Sequence, residues 1–148
     1  FVPVLPSRTV VAVGNFIYAV RWGDIPFYAM NRLALPKDET NTGLGGFPTL
    51  RGYSSYRFVG QTTVGANAEL RWSFADFTVL EQHLKTTVAA FADTGRVSDS
   101  TWHYSTRDWK SSWGIGLRLA WNLATIISFD YGVSSEGALF FMELGHPF

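Results

Sequence analysis

The stretch from Trp113 to Asn122, WGIGLRLAWN, alternates without a break. Trp113, Ile115, Leu117, Leu119 and Trp121 fall on one parity, and Gly114, Gly116, Arg118 and Ala120 on the other. Successive side chains of a strand point to opposite faces, so these residues form a strand with one apolar face and one face of small residues and a charge. The two stretches that follow repeat the pattern. TIISFDYGVS (125–134) sets Ile127, Phe129, Tyr131 and Val133 against Ser128, Asp130 and Gly132. GALFFMELGHPF (137–148) sets Phe140, Met142 and Leu144, in phase with the final Phe148, against Glu143 and Gly145.

Upstream, TTVGANAELRWSF (62–74) opposes Val64, Ala66, Ala68, Leu70 and Trp72 to Asn67, Glu69 and Arg71. LKTTVAAFADTG (84–95) opposes Val88, Ala90 and Ala92 to Ala89, Phe91 and Asp93. A less regular strand runs from about Thr9 to Trp22, with Val10, Ala12, Phe16, Tyr18, Val20 and Trp22 on one face and Asn15 and Arg21 opposite. Six antiparallel strands are thus expected, the last three each about 10 residues long, the length that crosses a bilayer at a tilt. Short turns are expected after Phe74, Asn122 and Ser134. Long loops are expected from Gly23 to about Gln61 and from Arg96 to about Lys110, with short turns at one end and long loops at the other, as in outer-membrane barrels.

Composition agrees with this pattern. The 148 residues carry 12 basic and 12 acidic side chains, only 16% charged residues, 16% aromatics and no cysteine. A neutral chain without a basic run has no footprint for nucleic acid, and without cysteine it has neither disulfides nor thiolate metal sites. No apolar run of about 18 residues is present, so no transmembrane helix is expected. A soluble β-sandwich would carry a solvated outer face. Here the less apolar face holds Gly, Ala, Asn, Ser and isolated charges, namely Glu69, Arg71, Asp93, Arg118, Asp130 and Glu143. A barrel lumen with mutually paired charges accounts for that face better. The fold class is therefore all-β, an antiparallel transmembrane β-barrel.

The first long loop contains GLGGFPTLRGYSSYRF (43–58), with six aromatic or arginine residues and four glycines. Gly45, Gly46 and Pro48 shape a turn that lets backbone pack closely. Arg51 offers five donors in a fixed fork suited to a carboxylate away from bulk water. Tyr53, Tyr56 and Phe58 supply rigid packing area. A loop longer than about 12–15 residues is usually functional or disordered.

LGGFPTLRGYSSYRFVG, then NAELRW, then FADTG, then a chain ending in phenylalanine, resembles the C-terminal part of the BamA/TamA superfamily of bacterial surface-antigen outer-membrane assembly proteins. The resemblance covers nearly the whole chain. It implies that the six strands are the last six of a 16-stranded barrel. It also implies that the loop over 23–61 carries the family's Arg-Gly-aromatic motif as Arg51, Gly52 and Tyr53 and folds into the lumen. There the arginine would meet an aromatic-x-Asp-x-Gly motif, matched by Phe91, Asp93 and Gly95. Six strands cannot close even an eight-stranded barrel, so earlier strands and periplasmic domains are expected outside residues 1–148. The terminal strand, with Phe140, Met142, Leu144 and Phe148, is implied as the barrel seam and assembly signal.

The implied function is insertion of proteins into, or translocation across, the bacterial outer membrane without ATP. Implied partners are outer-membrane lipid, client or passenger proteins and accessory assembly proteins, and no nucleic acid. Alternatives are a secretion barrel exporting a fused or separate passenger, patatin-like or two-partner in type, and a structural or porin-like barrel. No enzyme, metal site or cofactor is expected. His83, His103 and His146 lack ligand spacing, and neither a G-x-S-x-G elbow nor a GK[ST] phosphate loop occurs. TWHYSTRDW (101–109) is expected in an extracellular loop or aromatic girdle.

Overall fold

The computed structural model describes residues 9–30, 33, 43–47, 49–79, 82–99, 107–121 and 125–145. The alternating segments form β1 (Thr9–Val20), β2 (Thr62–Val79), β3 (Gln82–Ser98), β4 (Lys110–Trp121), β5 (Thr125–Ser134) and β6 (Gly137–Gly145). A single helical turn, α1 (Phe27–Met30), lies between β1 and β2. The strands make one six-stranded sheet in chain order, and every neighbouring pair is antiparallel. The fold is an all-β segment of barrel wall, as the alternation implies.

The two faces differ sharply. On one, Phe16, Leu70, Trp72, Ile115, Tyr131, Phe140, Met142 and Leu144 are exposed, Leu144 to 66%. Phe129 and Phe140 stack across β5 and β6 with centroids 6.1 Å apart. On the other face Glu69, Ala89, Phe91, Asp93, Ser112, Ser128 and Asp130 are buried. The segment around residues 43–60 lies on this face, with Arg51 against Glu69, Phe91, Asp93 and Asp130. The core therefore belongs to the loop. Leu44, Leu50 and Tyr53 are 0%, 0% and 1% exposed, and Phe58 and Val97 pack against them. Tyr53 meets Phe58 edge to face at 5.2 Å.

Two sequence expectations need correction. The strand expected to turn after Phe74 runs on to Val79, so β2 and β3 are 18 and 17 residues long and extend beyond the stretches 62–74 and 84–95. The cause is a bulge: Ser73 pairs with Thr87 but Ala75 pairs with Thr86, leaving Phe74 unpaired. The extra residue shifts the parity, so period 2 breaks at Phe74 without ending the strand. The second correction concerns the ends of the sheet. The turn at Ser135–Glu136 lies at the same end as the two long connections, Arg21–Gln61 and Asp99–Trp109, so that end carries one tight hairpin as well. The described part of the terminal strand runs to Gly145, and the rest of the expected strand to 148 lies outside the described residues. His146 and Phe148, the turn at Leu123–Ala124 and the stretch 101–106, with His103, lie outside the described residues.

Replacing Leu44 with alanine is expected to lower unfolding free energy by about 2–5 kcal/mol, the range for truncating a fully buried leucine. Urea titration of the protein in lipid vesicles measures it. A loss below about 0.5 kcal/mol, typical of surface positions, would contradict a core built by the loop.

Candidate functional site: an arginine seated on the inner face

The loop reaches the sheet as a tight, self-bonded hairpin. Leu44 and Phe58 form a bridge, with N···O distances of 2.8 and 2.9 Å, and the N–H of Gly46 donates to the carbonyl of Tyr53 at 3.0 Å. The Thr49 hydroxyl closes the turn, donating to the Gly45 carbonyl at 3.0 Å and accepting from its N–H at 2.9 Å. Asn67 of β2 donates to the Thr49 carbonyl at 2.7 Å, tying the hairpin to the wall. The tip that results is Arg51–Gly52–Tyr53.

Arg51 is 5% exposed and Asp93 2%. Nε and Nη2 of Arg51 donate to Oδ2 and Oδ1 of Asp93, both at 2.8 Å, and its backbone N–H adds a bond to Oδ2 at 3.1 Å. This is a fork-to-fork pair with a third bond, the geometry that makes arginine–carboxylate contacts strong and directional. Nη1 donates to Glu69 Oε2 at 2.7 Å and lies 3.5 Å from Asp130 Oδ2. The Phe91 ring lies under the guanidinium, 3.6 Å from Cζ to the ring centroid, within cation–π range. Burial works against the charge on Arg51. The hydrogen bonds and charge of Asp93, and then of Glu69, outweigh it and hold the guanidinium above its ordinary value.

The surrounding charges are paired too. Arg118 of β4 grips Asp130 of β5 with two bonds, at 2.5 and 3.0 Å, and reaches Glu69 Oε1 at 3.4 Å. Arg71 donates to the same Oε1 at 2.7 Å. Three arginines thus meet three carboxylates contributed by the loop and by β2, β3, β4 and β5.

Glycines make the seating possible. Gly52 has φ +93°, where an L side chain is strained, and it rests against the backbone of β5: a Cβ on Gly132 would lie 2.7 Å from the Gly52 nitrogen. Ser134 then donates to the Gly52 carbonyl at 2.7 Å. A Cβ on Gly95 would lie 2.7 Å from Leu44 Cδ2, so that position must stay bare for the core leucine. Tyr53 ends with its hydroxyl 3.1 Å from Ser135 Oγ and 3.3 Å from the Ser111 carbonyl.

The structure thus brings together all six residues of the two motifs: Arg51, Gly52, Tyr53, Phe91, Asp93 and Gly95. Phe140, Met142 and Leu144 lie elsewhere, on the bare face of β6, 64%, 62% and 66% exposed. The roles of Glu69, Arg118, Asp130, Gly132 and Ser134 at the tip escape sequence reasoning. Parity puts Asp130 on the inner face, but its register partner is Gly116, and only the inserted Arg51 joins it to the site of Asp93. No group of metal ligands occurs among the described residues.

A sheet bare and apolar on one face, with its other face filled by an inserted, ion-paired loop, is the wall of a plugged β-barrel. Residues 8–138 match the Omp85 superfamily domain, and the chain belongs to that superfamily. Superfamily members are outer-membrane proteins associated with insertion or secretion of proteins. No curated protein and no solved structure matches the chain.

Losing one partner of a buried ion pair strands the other, which costs about 3–5 kcal/mol. Arg51→Ala and Asp93→Asn should each approach that cost, and a double-mutant cycle should give coupling well above about 0.5 kcal/mol. Additive effects would mean the pair is not formed in the folded protein. Gly52→Ala should cost about 1–3 kcal/mol from backbone strain alone, measured by the same urea titration.

Proposed function

We propose that this chain is the C-terminal part of an outer-membrane β-barrel of the BamA/TamA type, its strands the last six of sixteen. It inserts proteins into the outer membrane, or passes them across it, without ATP, and it is not an enzyme. The observation that carries this reading is the seated Arg51. The inner face spends its charges on holding a loop of the same chain, three carboxylates and Phe91 around one guanidinium. A simple pore has no need of such a plug. The bare face supports the membrane side of the reading. Ile115, Leu117, Leu119, Ile127, Phe129, Tyr131, Phe140, Met142 and Leu144 share one parity, and lipid is the solvent that suits them. Trp113 and Trp121 stand eight residues apart on β4, about 25 Å along a strand and so near the height of an apolar band between aromatic girdles. In the proposed mechanism, client strands add to the edge of β6 from Ala138 to Gly145. They bond through backbone N–H and C=O groups, which recognises strands with little regard to their sequence.

Two experiments test this reading. Vesicles containing the protein should speed the folding of an unfolded outer-membrane barrel client, read by its heat-modifiable shift on a gel. Arg51→Ala should reduce that rate while the variant itself still shows a folded barrel. A parent protein that leaves client folding unchanged while a passenger accumulates outside the cell would replace insertion with secretion. Leu117→Arg should cost about 2–4 kcal/mol if Leu117 lies near the bilayer midplane. An unchanged unfolding midpoint would argue against a lipid-facing position.

A further inference from the structure

Every hydrogen bond that the Asp93 carboxylate accepts among the described residues comes from Arg51. The other two carboxylates of the site have anchors of their own. Arg118 holds both oxygens of Asp130, and Arg71 and Arg118 hold Oε1 of Glu69 while Oε2 faces Arg51. The floor is also independent of the loop. Gly114 leaves room for the Phe91 ring, since a Cβ there would collide with Cζ of that ring, and Gly116 leaves room for Asp130 in the same way. With Arg51 taken away, the wall keeps a flat aromatic surface, a carboxylate ready to accept a fork, and two more carboxylates fixed by Arg71 and Arg118. The three carboxylates then face two arginines, so the vacated place carries one uncompensated negative charge. A buried carboxylate without a partner is costly, and its shape and surroundings select the replacement. An ammonium would satisfy the charge but would not use the paired Oδ1 and Oδ2 or the Phe91 face as a planar guanidinium does.

We propose that Glu69, Phe91, Asp93 and Asp130 form a guanidinium receptor. Arg51 is its resident ligand, and an arginine of another polypeptide is the ligand it takes when the loop tip is out. The loop is then an internal competitor for the site. This binding does not depend on whether the protein inserts clients or exports a passenger, because the receptor is built entirely from the wall.

The test uses the membrane-embedded protein with Arg51→Ala, and two probes. The first is guanidinium at millimolar concentration, with urea as a neutral control of similar shape. Guanidinium should raise the thermal midpoint of the variant at a concentration at least about tenfold below any effect of urea. It should do nothing comparable for the parent, whose site is filled, or for Arg51→Ala combined with Asp93→Asn. The second probe is a short fluorescent peptide with one arginine, compared with the same peptide carrying citrulline. The arginine peptide should bind Arg51→Ala at least about tenfold more tightly than the citrulline peptide. Should Arg51→Ala fail to assemble, Arg51→Gln, which keeps the length without the charge, takes its place in both arms. Equal responses to guanidinium and urea, or equal responses of parent and variant, would overturn the receptor. A guanidinium response with equal binding of the two peptides would confine the site to small ions and overturn the second half of the proposal.

Discussion

The ladder of a β-sheet uses the backbone N–H and C=O groups of its inner strands, so a carboxylate carried on such a wall must find its donors elsewhere. Asp93 sits in the middle of β3, between β2 and β4, in that position. Its donors come from 42 residues earlier in the chain, on the tip of a loop. Nearly everything distinctive about the structure follows from that constraint. The loop must reach the wall, so it folds into a hairpin. Its backbone must approach β5 closely, so Gly52 meets Gly132. The segment beside the tip must exclude water for the pair to hold, so Leu44, Leu50 and Tyr53 form the core there.

The two faces of the sheet solve opposite problems. The inner face gathers charges and neutralises them locally, with three arginines against three carboxylates, so that a buried polar cluster needs no bulk water. None of the described residues covers the outer face. Its exposed aromatics and aliphatics would be an aggregation hazard in water. In the proposed membrane setting they meet hydrocarbon. The same alternation thus serves two surroundings, and a one-residue slip in register would exchange them.

Much of this was legible in the sequence because period 2 is a strong signal where one face is uniformly apolar. WGIGLRLAWN and TIISFDYGVS announce β4 and β5 directly, and the register then pairs Ile115 with Tyr131 and Leu117 with Phe129. The inner-face position of Asp93 followed from the same alternation. What was not legible depended on register or on local irregularity. The bulge at Phe74 reads as the end of a strand, because an apolar residue on the expected parity is followed by one that breaks it. Arg118 and Asp130 read as isolated charges. They become partners only when β4 and β5 are aligned, since they lie 12 residues apart in sequence. Gly114, Gly116 and Gly132 read as small fillers of a narrow face. Their use, as space for Phe91, Asp130 and the loop backbone, depends on three dimensions.

The contact on which the rest depends is that of the Arg51 guanidinium with Asp93 in the protein as it sits in a bilayer. Solid-state NMR with labelled arginine nitrogens and aspartate carboxyl carbons measures this directly, with Asp93→Asn supplying the assignment. A Nε···Oδ2 separation of 2.8 Å requires strong dipolar coupling between the Arg51 guanidinium and the Asp93 carboxyl carbon, together with a slowly exchanging Nε proton. An Arg51 signal without that coupling, exchanging at the rate of an arginine in water, would contradict it.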